Sequence, residues 1–69
     1  MQTKQVGSDS GVKLRKVCAE RGIPLHIVTY RAKVSGTTLS KWSKWNILPR
    51  EETIQKVAEV LGVQPEDII

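Results

Sequence analysis

Cys18 is the only cysteine in the chain, so no internal disulfide can staple the fold, and a lone thiol lacks the partners of a structural zinc site. A chain of 69 residues buries only about 60% of the surface it exposes when unfolded. Its core must hold by apolar packing alone, which at this length favours short helices with local contacts. A lone cysteine is also usual in a reducing compartment, so a soluble, cytoplasmic protein is expected. No apolar run approaches the roughly 20 residues that span a bilayer, and no membrane partner is expected. Met1–Ser10 has no signal-peptide core. Residues 1–9 are expected to be a flexible arm ahead of one domain over 10–69.

Five helical segments can be read. The first begins near Ser10 or Gly11, with Ser8, Asp9 and Ser10 as available caps. Leu14, Val17 and Cys18 form its apolar stripe, and Arg21-Gly22 ends it. Ile23 should pack inward. Pro24 opens a second helix through about Ala32, with Val28 and Ala32 as its inner face. A lone strand here would have no partner. Lys33-Val34-Ser35 is a turn, with Ser35 capping the third helix, and a loop from Trp45 to Pro49 follows that helix. The fourth helix, from about Arg50 to Leu61, has the clearest period: Ile54, Val57, Ala58 and Leu61 fall at i, i+3, i+4 and i+7. Gly62 stops it, and Gln64-Pro65-Glu66-Asp67 begins a last helical turn that carries Ile68 inward.

The third helix is unusual in composition. Ser35-Gly-Thr-Thr-Leu-Ser-Lys-Trp-Ser-Lys-Trp45 is nearly all hydroxyls and lysines. Leu39, Trp42 and Trp45, three residues apart, are expected on one inner stripe, with Trp42 in the core and Trp45 as a lid over it. The alternative for Trp45 is an exposed ring near phosphates. The opposite face then offers Thr37, Thr38, Ser40, Lys41 and Lys44. Short hydroxyls reach base edges or phosphates, and ammonium groups neutralise phosphate. A merely solvated helix face would have similar composition.

Charge is unevenly spread along the chain. Residues 1–50 carry ten Lys/Arg against Asp9 and Glu20, a net of +8. Residues 51–69 set Lys56 against Glu51, Glu52, Glu59, Glu66 and Asp67, a net of −4. That asymmetry suits a chain with one face toward a polyanion and the other turned away.

Three stretches together resemble the lambda-repressor-like helix-turn-helix domain of Cro/CI or Xre type. Leu14-Arg15 through Glu20-Arg21-Gly22-Ile23 looks like the family's first helix and its exit. Thr38-Leu39-Ser40-Lys41-Trp42 is similar to a frequent recognition-helix core. Pro49 through Ala58, then Leu61-Gly-Val-Gln-Pro-Glu-Asp-Ile68, falls at the family's spacing. The resemblance covers Leu14 to Ile69. The chain departs from the pattern at five positions. Lys33 replaces the usual turn glycine, Thr29 a small residue, Ser43 a glutamate and Trp45 a glycine, and Gly36 stands where a base reader is common. A left-handed Lys33 would cost roughly 1 kcal/mol.

The resemblance implies an all-α, compact five-helix bundle whose third helix enters the major groove of a double-stranded DNA operator. Carried over by position, Thr37, Ser40 and Lys41 are the base-contact candidates. Ser35, Gly36 (through its backbone), Thr38, Lys44 and His26 are the phosphate-contact candidates. The family implies a transcriptional regulator, a repressor or Cro-like protein of a phage, plasmid or mobile element, acting in the bacterial cytoplasm. A weak or DNA-induced homodimer is expected, formed through the bundle itself, at Ile69 and the last turn, or only on DNA.

Catalysis finds little support. His26 has no carboxylate at an evident partnering position and reads as a surface residue, and Cys18 reads as core. Adjacent Glu51 and Glu52 suit the positive end of a helix dipole. No phosphate-cradling glycine loop, metal constellation or cofactor signature is present, so no enzyme activity, metal or cofactor is expected. Two other readings stay open: a protein-interaction module on the same scaffold, such as an antitoxin or regulator partner, and a nonspecific nucleic-acid binder.

Overall fold

The computed structural model describes residues 9–69. The arm expected over 1–9 lies outside these residues except for Asp9, which precedes the first helix. The order is α1 (Ser10–Arg21), α2 (Leu25–Ala32), α3 (Gly36–Trp45), α4 (Glu51–Leu61) and a closing 3-10 turn (Pro65–Asp67). The all-helical bundle is as expected, but the fifth helix is corrected to a single 3-10 turn. The three-residue turn opened by Pro65 is held by i→i+3 bonds, from Asp67 N–H to Gln64 O at 2.9 Å and from Ile68 N–H to Pro65 O at 3.1 Å.

The helix ends follow from local chemistry. α1 stops at Gly22 and α4 at Gly62, both left-handed with φ of 66° and 72°, which glycine adopts without a Cβ penalty. The next residue then turns inward: Ile23 N–H donates to Cys18 O at 2.9 Å, and Val63 N–H to Ala58 O at 3.0 Å. Both side chains pack on the core. α2 ends at Lys33, which is left-handed at φ 56°. That strain costs about 1 kcal/mol, and Val34, packed on the core immediately after, offsets it.

One core collects a stripe from every element. Leu14, Val17 and Cys18 of α1 meet Val28 and Ala32 of α2, Leu39 and Trp42 of α3, and Ile54, Val57, Ala58 and Leu61 of α4, with Ile68 closing it. Burying a side chain of Leu or Ile size contributes about 1.5–3 kcal/mol. α1 packs chiefly on α3, and α2 on α4. Trp42 is fully buried, and its indole N–H donates to Ile68 O at 3.2 Å. That bond ties the closing turn to the inner face of α3.

Trp45 is not the expected lid. It is 69% exposed. A three-residue step falls about 60° short of a full helical turn, so two steps from Leu39 carry Trp45 out of the core. Ser43, four residues after Leu39, turns inward in its place and is buried. Gly11 permits that contact. A Cβ there would lie 2.8 Å from the Trp42 carbonyl oxygen and from Asn46 Oδ1, and closer still to the Ser43 carbonyl.

Candidate nucleic-acid interface

α3 is fixed at both ends and along its inner face. At its start Ser35 caps the helix, its Oγ accepting from Thr38 N–H at 3.1 Å. The same Oγ shares a hydrogen bond with Thr38 Oγ1 at 2.9 Å. At its end Asn46 is left-handed at φ 59°. Asn46 N–H donates to Trp42 O and Ile47 N–H to Lys41 O, each at 3.1 Å. Leu39 and Trp42 anchor the middle. The helix is therefore a rigid mount for whatever its outer face carries.

That outer face carries Thr37, Ser40, Lys41 and Lys44, all exposed. They fall at i, i+3, i+4 and i+7, so the four side chains share one face. The three base-contact candidates and one phosphate candidate thus come together. Gly36 is exposed and lies one turn before Ser40. Thr38 is half-buried and sits apart, with its hydroxyl engaged by Ser35. His26 is exposed in the first turn of α2, and its carbonyl accepts from Thr29 Oγ1 at 2.6 Å.

Two features escaped the sequence reading. Tyr30 is 82% exposed on α2, one turn after His26, and the spacing opposite Val28 and Ala32 was the signal that could have found it. An open cleft also separates α3 from the start of α4, lined by Thr38, Lys41, Ile47, Leu48, Pro49, Arg50, Glu52 and Thr53. It brings Arg50 and Lys41 to the same side of α3, beside the N-terminus of α4, where the dipole is positive. Glu51 and Glu52 fill that first turn and oppose the cations.

Other surfaces suit a polyanion less well. A second cleft, between α1 and the closing turn, mixes Lys13, Lys16 and Arg21 with Glu20, Glu66 and Asp67. Among the described residues, no group of three or more His, Cys, Asp or Glu could hold a metal ion. Cys18 is buried, and burial pushes its thiol above the ordinary value of 9.0, away from a reactive thiolate. Among the same residues no helix is long and apolar enough to cross a membrane.

A hydroxyl-and-lysine face on a mounted helix has the donors for phosphate oxygens and base edges, and α3 itself carries no carboxylate, although Glu52 shares the cleft with Lys41. The family profile of the Cro/C1-type HTH DNA-binding domain matches residues 13–69. No curated protein and no solved structure matches the chain.

Proposed function

The chain belongs to the Cro/C1-type HTH DNA-binding domain family, and on that premise we propose that it is a sequence-specific transcriptional regulator that sets the outer face of α3 into the major groove of its operator. One observation carries this reading: Thr37, Ser40, Lys41 and Lys44 share one exposed face of a helix mounted at both ends. Lys41 donates to guanine O6 and N7, the Thr37 methyl packs on a thymine methyl, and Ser40 bonds a neighbouring base edge. Lys44, His26, the Gly36 backbone and the one hydroxyl hydrogen that the Ser35–Thr38 pair leaves free hold phosphates and fix the register. Lysine neutralisation supplies most of the affinity and makes it fall with salt. The protein binds as a weak or DNA-induced homodimer on half-sites about 10 base pairs apart. A repressor or Cro-like role on a phage, plasmid or mobile element rests on the family resemblance alone.

A second reading has its own observation. Trp45 and Ile47, 69% and 52% exposed, put apolar surface on the last residue of α3 and just beyond it. On that reading the domain docks a protein partner, and a Thr37→Ala, Lys41→Ala double variant keeps full biological activity.

Selection from random duplexes by the purified protein tests the first reading. The expected winner is palindromic and binds about 10³-fold or more tightly than a scrambled duplex at physiological salt. Equal affinity for both duplexes would remove sequence specificity from the account.

A further inference from the structure

Gly11, Gly22, Gly36 and Gly62 are the glycines among the described residues, and the fold requires three of them. Gly22 and Gly62 have positive φ, and a Cβ on Gly11 would collide with the Ser43 and Trp42 carbonyls. Gly36 has neither reason. It has no positive φ, and a Cβ built on it meets nothing within 4 Å. It is exposed at the first position of α3, next to the Ser35 cap. Any side chain there would project into open space, beside Ser40 on the flank of the outer face.

We propose that Gly36 is a vacant specificity position, so that the base pair facing it in the operator goes unread. The inference rests on α3 being the groove helix, whose first residues lie nearest the base edges. The rest of α3 does not fill the gap. From Gly36 to Trp45 the helix has no Asn, Gln, Arg, Asp or Glu, and Lys41 and Lys44 are its only long polar side chains. α3 therefore offers adenine no amide to pair with its N6 and N7, and offers the cytosine amino group no carboxylate. Direct readout by α3 is confined to guanine through Lys41, thymine through the Thr37 methyl, and what Ser40 reaches. The half-site is short and guanine-centred, with one tolerant base pair at its edge.

The test is parallel selection from random duplexes with wild type, Gly36→Ala and Gly36→Gln, each first checked for a helical circular-dichroism spectrum. Wild type should accept all four bases at one flanking position within about twofold, lacking the bidentate contact that discriminates. Gly36→Ala keeps the backbone N–H that meets phosphate, so overall affinity can change, but the base preferences should stay the same. Gly36→Gln should add a preference for adenine at that position of about tenfold or more, with the rest of the motif retained. A folded Gly36→Gln that gains no preference would overturn the inference while leaving the DNA reading intact. So would a Gly36→Ala variant that loses one. A wild type that enriches no motif would overturn the DNA reading itself, and the vacant position with it.

Discussion

The backbone N–H of Gly11 donates to Oδ1 of Asn46 at 2.8 Å, joining the first turn of α1 to the residue that ends α3. Asp9 gives α1 no side-chain cap, so one of the open donors of that helix start is satisfied from across the bundle. The same Asn46 is left-handed and takes the end of α3. One side chain thus fixes how far α3 extends and where its outer face stands relative to α1.

Asn46→Ala should lower stability by about 1–3 kcal/mol, because it leaves the Gly11 N–H without its partner and keeps an unfavourable backbone conformation. Asn46→Gly removes the strain but not the orphaned donor, so its urea midpoint should fall between those of wild type and Asn46→Ala. Gly11→Ala should cost about 1–3 kcal/mol by overpacking the carbonyls of α3.

Lys33→Gly should raise stability slightly, by up to about 0.5 kcal/mol. Relief of the left-handed strain outweighs the added freedom of the unfolded chain. The urea midpoint should rise with an unchanged m-value. A lower midpoint would mean that the Lys33 side chain contributes more than its backbone costs.

The helices were legible wherever apolar residues keep helical spacing. Ile54, Val57, Ala58 and Leu61 all turn inward, as their period requires. The inner stripe of α3 breaks its apolar spacing at Trp45, because helical angle carries that ring outward and turns the polar Ser43 inward. The Gly11–Asn46 bond joins residues 35 apart in sequence, and no local pattern marks such a pair. The outer face of α3 was legible because hydroxyls and lysines repeat on it. The role of Arg50 in the cleft beside α3 was not, since it depends on how the loop after Asn46 folds back.

Burial holds the Cys18 thiol above its ordinary 9.0, so the unfolded chain gives up that proton first as pH rises. The contribution to stability is full below the unfolded value and is lost as pH climbs toward the folded one. The stability of wild type relative to Cys18→Ala should therefore decline as pH rises past the ordinary thiol value of 9.0. A difference independent of pH above that value would contradict burial of the thiol.

Lys44 and Lys41 should separate in salt titrations on a selected duplex. Lys44→Ala should weaken binding to all sequences alike and lower the salt slope by about 0.9, the loss of one phosphate contact. Lys41→Ala should cost about 1–3 kcal/mol on the preferred duplex and relax the choice at one base pair. Identical behaviour of the two variants would assign both lysines to phosphate.

Amide shift mapping of isotope-labelled protein, titrated with the selected duplex, addresses the outer face of α3 directly. The account predicts that the largest changes fall on Gly36, Thr37, Ser40, Lys41 and Lys44, with smaller ones at the start of α2 around His26. Changes confined to Lys13, Lys16 and the closing turn, with α3 unmoved, would contradict it.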